Sequence, residues 1–400
     1  AGVLVARAGA ISCRDESGAE VDYWFAYKYP QAASSSYGGV RYSRLTSGGD
    51  SWAMSDAEIT SEAESIVGVT LQDVYAQTPG VGYVLYNDQW PNGDWTEDYG
   101  HSKGALVFDA DGGYFMQHSV PDFPNYVDQG YLYGSSQEVY GQHLSCFSLS
   151  LEELNQVAGV MLYSGPWIYD SADGEDMSGL ANVTALCEGE TLYSTPASVS
   201  VAIPTSGAAG TLTIFGKTGA YDADMMDTVV APALGVDLVS ESWLNSGGVI
   251  GPFCPADGEA SVVDTVTLEY GNGTSSWPTA DDHSKWAVSV NGTWVCVVDN
   301  NRVYSQYSRG GLAVCLENQA WHAALADGIV AADSCSGIDD DAEGVACCHY
   351  DDDKCNQGDV CCYSSCDDPS TCSYSETGCS GDYGQIHDCV WSDGTCVVGA

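Results

Sequence analysis

Positive charge is what this chain has least of. Eleven lysines and arginines stand against 56 aspartates and glutamates, giving a formal net charge of −45 over 400 residues. Binding to a polyanion rests on lysine and arginine neutralising phosphates, so this balance excludes a broad nucleic-acid-coating surface. It also disfavours adsorption to anionic membranes. Any cation that acts on a phosphate must be concentrated in a cleft, or must work at a pH where many carboxylates are protonated. Adaptation of a secreted protein to salt or acid is the other reason for such a charge. Long apolar runs are missing too, so no stretch reads as a membrane-spanning helix. The chain starts at Ala1 without methionine, which reads as a mature secreted or lumenal protein whose signal peptide has been removed.

Cysteine, by contrast, is plentiful. Seventeen cysteines point to an oxidising compartment. The sequons at Asn182, Asn272 and Asn291 agree with a glycosylated, secreted or lysosomal/vacuolar protein. Residues 335–400 hold eleven of the cysteines and fourteen acidic residues against the single Lys354, with no apolar period. So short and polar a segment needs covalent staples, and it reads as an acidic disulfide module rather than a zinc site. Its connectivity is not derivable from sequence. The aspartate runs at 339–341 and 351–353 read as solvated acidic faces rather than ion sites.

Two of the five lysines sit in an identical tripeptide, His101-Ser102-Lys103 and His283-Ser284-Lys285. In an extended chain positions i and i+2 share a face, so each copy presents an imidazole beside an ammonium. That pair suits a phosphate: imidazole can attack phosphorus or pass a proton, and the cation holds the non-bridging oxygens. One copy is weak evidence; two in so lysine-poor a chain are stronger.

Coarse elements place these motifs. Residues 21–29 (VDYWFAYKY) read as a strand carrying Lys28, either a snorkelling strand-end lysine or a cleft cation. Residues 55–67 read as an amphipathic helix with Ser55 and Glu58 in capping-box spacing. Residues 82–86 form a strand ending at Asn87, a candidate substrate-binding residue, and Asp88. His101 opens the strand HSKGALVFD, a turn follows, and residues 114–119 return with His118 alongside. Ser150 and Glu153 cap a helix to about residue 163. In the second half, 211–215, 236–243, 262–268 and 293–299 read as strands, 223–230 as a helix, and 312–330 closes with a helix. Both halves run strand with His-x-Lys, turn, strand, polar residue, which implies an internal duplication with repeats of about 1–163 and 164–334. The expected class is α/β, with mixed sheets and flanking helices.

The stretches ISCRDESGAEVDYWFAYKYP (11–30), LYNDQ (85–89), GHSKGALVFDADGGYFMQHSVPDFPN (100–125), YGQHLSC (140–146), GPWIYD (165–170), DDHSKW (281–286), TWVCVVDNNR and RGGLAVC (293–315) resemble the deoxyribonuclease II family. The resemblance spans roughly 1–335 and leaves out the tail. It implies a phospholipase D-like, pseudo-twofold fold in which each half supplies one His-x-Lys to a shared site. The implied reaction is hydrolysis of DNA at acid pH without metal or other cofactor, through a phosphohistidine, leaving 3′-phosphate ends. His101 and His283 would be nucleophile and acid, in an order the residues leave open. Lys103 and Lys285 would bind the phosphate oxygens, and Lys28, Asn87 and Asn301 the substrate. His118 would be a supporting acid or phosphate donor, unless it is simply bonded within the sheet. Asn301 would hold the matching place in the second half, and Asp299 would orient a histidine or sit in a turn. The resemblance also implies the bridges Cys13–Cys146, Cys254–Cys335 and Cys296–Cys315, which leaves Cys187 odd. His143, His322, His349 and His387 carry no motif and default to structural roles.

A rival reading is an extracellular structural, filament-forming or adhesive glycoprotein that reuses the fold and assembles through the Cys-rich tail or Cys187. The charge, the tail and the odd cysteine favour it. Two intact His-x-Lys pairs, which scaffolding does not need, oppose it.

Overall fold

The computed structural model describes residues 11–49, 52–205, 207–245, 248–255, 259–270, 275–335, 389–392 and 395–398. Its first part runs β1 (Tyr23–Lys28), β2 (Arg41–Thr46), β3 (Ala53–Glu58), α1 (Ile66–Tyr75), β4 (Gly82–Tyr86), β5 (Gly104–Phe108), β6 (Gly113–His118), β7 (Gln142–Leu149), α2 (Leu151–Ser164) and β8 (Ile168–Ala172). Then come α3 (Ala181–Cys187), β9 (Ser198–Pro204), β10 (Thr211–Lys217), α4 (Ala231–Leu234), β11 (Leu238–Glu241), β12 (Val262–Leu268), β13 (Trp277–Pro278), β14 (Trp286–Ser289), β15 (Trp294–Val298), β16 (Gly311–Glu317), α5 (Gln319–Ala326) and β17 (Ile329–Ala332). A ribbon of β18 (Cys389–Ser392) and β19 (Thr395–Val398) lies in the tail. The rest of residues 336–400, with His349, His387 and the remaining tail cysteines, lies outside the described residues, as does Asn272. No helix among the described residues is long and apolar enough to cross a membrane.

The chain is α/β, with two large sheets. The first has the order β3-β2-β1-β7-β6-β5-β4-β8, and the second runs β13-β12-β11-β14-β15-β16-β10-β9, with β17 on β12. Five neighbours repeat: β1-β7-β6-β5-β4 in one sheet and β10-β16-β15-β14-β11 in the other. Registers align them, with Gly104 opposite Gln117 as Trp286 is opposite Val297, and Lys28 opposite Gln142 as Lys217 is opposite Gly311. The first sheet takes its outer strand β8 from beyond residue 164, so the division between sheets falls after the expected repeat boundary.

Period-two alternation makes these strands the wall between cores. On β16, Leu312, Val314 and Leu316 enter a core shared by both sheets, and Ala313 and Cys315 face the outer core of the second sheet. On β7, Phe147 and Leu149 enter the shared core and Leu144 and Cys146 the outer core of the first. The halves therefore bury one another's apolar faces. Disulfides join Cys13–Cys146, Cys254–Cys335 and Cys296–Cys315, the last between residues directly opposite on β15 and β16. Cys187 is free and half-buried.

The helix expected over 55–67 is not there. Residues 53–58 pair with β2 instead, and the Arg41 guanidinium ties down the Ser55 and Asp56 carbonyls. Sheet pairing overrides the local helical pattern, and α1 starts after Ser65, whose Oγ accepts from Gly68 N at 3.0 Å. The capping box of α2, Ser150 with Glu153, is present. The helix expected over 223–230 is a wide π turn, Met226–Val230, running into α4. Asn291 is exposed at a hairpin tip. Asn182 differs: its Nδ2 donates to the Asn155 carbonyl at 2.8 Å where α3 meets α2, so a glycan there would have to open that contact.

Candidate active site

His101, Ser102 and Lys103 do not lie on a strand as expected; they lead into β5, as residues 283–285 lead into β14. What fixes them is the opposite half. His101 N donates to the Gly310 carbonyl and His283 N to the Gly141 carbonyl, both at 2.8 Å. His101 Nδ1 lies 2.7 Å from the Asp299 carbonyl oxygen, and His283 Nδ1 lies 2.8 Å from that of Ser119. Gly141 precedes Gln142 as Gly310 precedes Gly311, and Ser119 matches Asp299 by register. Each motif is thus held through equivalent carbonyls of the other half. A carbonyl acceptor fixes the proton on Nδ1 and leaves Nε2 as the free lone pair, the state of a nucleophile or base.

Both imidazoles are held well below the ordinary histidine range. Burial comes first for each, followed by Lys103, Lys285 and Arg309 around His101, and by Lys285, Lys103 and His101 around His283. The lysine of each motif thus acts on the histidine of the other. Burial likewise pushes Lys285 well below the usual ammonium value, with Lys103 adding to it. Lys285 Nζ donates to the His283 carbonyl at 2.7 Å.

The repeat is broken in chemistry just beyond the strands. Two residues past β4 stands Asp88, and two past β11 stands Trp243. Asp88 bonds Lys103 Nζ, takes Arg309 Nη2 at 3.0 Å, and lies 3.9 Å from His101 Nε2. Trp243 instead meets His283 edge to face at 4.7 Å, with Tyr140, the positional match of Arg309, against it at 5.7 Å. Asp88, Tyr140 and Arg309 lie within stretches that carry the family resemblance and Trp243 outside them, but no motif assigns any of the four a role; the register of the two halves exposes them.

His118 accepts from Val120 N at 3.2 Å through Nδ1, so its proton sits on Nε2, which is buried without a partner among the described residues. Burial, with Lys103, lowers it to about 3, which makes it a neutral donor rather than an acid. Its match in the second half is Val298: His118 N binds the Lys103 carbonyl as Val298 N binds that of Lys285. The place expected for Asn301 is therefore taken by Val298. Asn301 lies three residues on, its Oδ1 buried without a hydrogen-bond partner among the described residues. Asp299 orients His101 by its carbonyl, while its carboxylate takes Gln117 Nε2 and Leu312 N at 2.8 Å each. His143 sits closer to the chemistry than expected, accepting from Lys285 N at 3.0 Å.

Two candidates spend their side-chain nitrogens on backbone carbonyls. Asn87 Nδ2 is spent on the Val120 and Phe123 carbonyls at 3.0 and 2.7 Å. Lys28 is fully buried, with Nζ on the carbonyls of Gln137, Glu138 and Tyr140, and burial lowers it to about 7. Lys217 does the same for Gln306, Tyr307 and Arg309. These lysines cap the loops that deliver Tyr140 and Arg309. Lys28→Met strands three carbonyls and is expected to cost about 3 kcal/mol or more of stability, while the rate per folded molecule stays within about twofold on the same ground. Denaturant unfolding paired with active-site-normalised kinetics checks this. A raised KM at unchanged stability would return Lys28 to the substrate.

A family model described as Deoxyribonuclease II matches residues 12–335. The chain is 32% identical over 334 residues to Deoxyribonuclease-2-alpha of Rattus norvegicus, covering 81% of this chain and 94% of that protein. It is 30% identical over 333 residues to the Sus scrofa protein of the same name, covering 81% and 90%. Deoxyribonuclease-2 of Caenorhabditis elegans is 29% identical over 344 residues, covering 77% and 90%.

Proposed function

This chain belongs to the deoxyribonuclease II family and is a nuclease of that type; we propose that it hydrolyses DNA phosphodiesters at acid pH, without a metal, at one composite site on a phospholipase D-like pseudo-dyad. The crossed hydrogen bonds carry the reading, because each imidazole takes its tautomer from the other half. One Nε2 attacks phosphorus, an N–P bond forms, the P–O5′ bond breaks, and the other histidine's Nε2 proton goes to the leaving 5′-oxygen. Water then attacks phosphorus and gives its proton to that second, now neutral, histidine. The N–P bond breaks, and the phosphate stays on the 3′ end. Lys103 and Lys285 hold the non-bridging oxygens, with the neutral His118 as a further donor.

The reading explains an acid requirement. Burial and the lysines keep both imidazoles unprotonated near neutrality, yet departure of the 5′-oxygen needs one proton. Acid supplies it, and the arriving phosphate anion helps to hold it. The disulfides support a secreted or lysosomal lumen. The structural-glycoprotein alternative gains nothing from the named deoxyribonuclease relatives.

Plasmid incubated with the intact protein at about pH 5 in excess chelator is expected to be cut, and at about pH 8 spared, as follows from a required imidazolium. The new 3′ ends should prime a polymerase only after phosphatase treatment. An intact protein that leaves plasmid uncut across the pH range would sink the proposal. Cleavage restored only by a divalent cation would sink its metal-independent form.

A further inference from the structure

Asp88 is a buried carboxylate beside His101 to which the reaction above gives no role. Its Oδ1 takes Lys103 Nζ, its Oδ2 takes Arg309 Nη2 at 3.0 Å, and the same Oδ2 stands 3.9 Å from His101 Nε2. Burial works against its charge, but Lys103 and Arg309 outweigh burial and hold the carboxyl below its ordinary value, so it stays ionised in mild acid. The backbone around it is tied down. Asn87, the residue before it, donates N to the Trp167 carbonyl at 3.1 Å and Nδ2 to the Val120 and Phe123 carbonyls, and its Oδ1 accepts from Gln89 N at 2.9 Å. The Asp88 carbonyl accepts from Thr96 N at 3.1 Å. Arg309 is held as firmly, by Lys217 Nζ on its carbonyl and by its own Nε on the Tyr99 carbonyl at 2.8 Å.

The second half differs. Lys285 Nζ donates to a carbonyl, that of His283, where Lys103 meets a carboxylate. Other acids near the cluster have partners of their own. Asp282 accepts from Tyr27 Oη and Ser284 N, Asp299 from Gln117 Nε2 and Leu312 N, Asp122 from Gln137 Nε2, and Glu241 from Thr265 Oγ1. After burial, Lys103, Lys285 and Arg309 are what push the proton off His101. His118 faces Lys103 and His143 faces Lys285, both held neutral by burial. Asp88 therefore binds two of the three cations that oppose an imidazolium at His101, and sets a negative charge beside Nε2.

Resting on the nuclease reading above, we propose that Asp88 is a positioning residue for the reaction: it binds Lys103 and Arg309 into one unit beside His101 and offsets their charge, so that Nε2 keeps the basicity that attack or proton transfer needs. It acts through these groups and does not touch the substrate. Whichever step His101 performs, it controls one limb of a bell-shaped pH profile, the basic limb as acid and the acid limb as nucleophile. Removing the carboxylate weakens proton binding at His101 and moves that limb to lower pH. Removing Arg309 takes away an opposing cation and moves the same limb to higher pH.

The test is plasmid cleavage by the full chain, with kcat/KM measured from about pH 3.5 to about pH 7 so that both limbs are covered. Asp88→Asn is expected to move one limb down by about one unit, the effect of an opposite charge about 4–6 Å away. Arg309→Met is expected to move that limb up, and Asp88→Glu to return it towards the parent. A merely structural role would lower the folded fraction and leave both limbs in place. The opposite signs keep the proposal open to refutation if one of the two variants fails to fold. Folded variants with unmoved limbs, or with limbs moved in the same direction, would overturn it. A parent chain that cuts nothing would reject the nuclease reading instead. Titration of the His101 ring nitrogens by NMR in the same variants then decides the positioning by itself: opposite shifts uphold it, and no shift rejects it.

Discussion

Replacing either His101 or His283 by alanine is expected to cost at least about a thousandfold in kcat, and replacing both to cost no more than replacing one. The non-additivity is the informative part. Two independent His-x-Lys sites would each keep working, and either single variant would retain about half the rate. In one composite site each imidazole performs a step that the other cannot perform at the same moment. The geometry calls for the second case: His101 takes its Nδ1 partner from Asp299 and His283 takes its own from Ser119, so neither site is complete within one half. Single-turnover cleavage by the three variants at about pH 5 decides it. Each alanine also strands a buried carbonyl, so unfolding curves should accompany the rates. A variant that loses rate while retaining its unfolding transition isolates the chemistry.

Much of the candidate site was legible in the sequence, and what was hidden had physical reasons. A repeated tripeptide in a lysine-poor chain is a one-dimensional signal, and it singled out His101, Lys103, His283 and Lys285 as candidates. His118 became a candidate through its hairpin. Its counterpart was not: counting along the chain pointed to Asn301, whereas strand register gives Val298. Asp88 and Arg309 meet only when β4 and the loop before β16 come together, 221 residues apart. Lys28 shows the converse. Its type and rarity suggested a cleft cation, but function follows from what surrounds an ammonium, and here that is three backbone carbonyls. The fold class followed from period-two patterns, which survive because each strand divides two cores. The helix expected at 55–67 failed because its cap and spacing were local, while the pairing of β3 with β2 was not. Arg302 went unread for the same reason, since its three carboxylate partners come from two distant stretches of chain, Asp224 with Asp227 in one and Asp264 in the other.

Arg302→Met is expected to destabilise the protein by about 3–5 kcal/mol near pH 7, and by less than half of that near pH 4.5. Arg302 is fully buried, bonded to Asp264 and lying 3.5 Å from Asp224 and 3.4 Å from Asp227, with the Gly251 carbonyl at 3.1 Å. One cation serves three buried carboxylates, so its loss leaves their charge uncompensated. Burial raises both Asp227 and Asp264 to about 6 even with Arg302 present. A carboxyl whose folded value lies above its unfolded one takes up its proton first in the folded state, so these groups favour folding as pH falls from about 6 towards 4. Once protonated they need the guanidinium less, and the penalty of removing it shrinks. Four buried histidines pull the other way. His101, His143 and His283 are held well below their ordinary value and His118 at about 3, so acid favours the unfolded chain through them. Their contribution is common to both proteins and cancels in the difference, which is why the comparison is made between variant and parent and not on the parent alone. Urea unfolding of each at the two pH values gives that difference. A loss as large at pH 4.5 as at pH 7 would show that the carboxylates stay charged in acid and that Arg302 holds the second half together by packing instead.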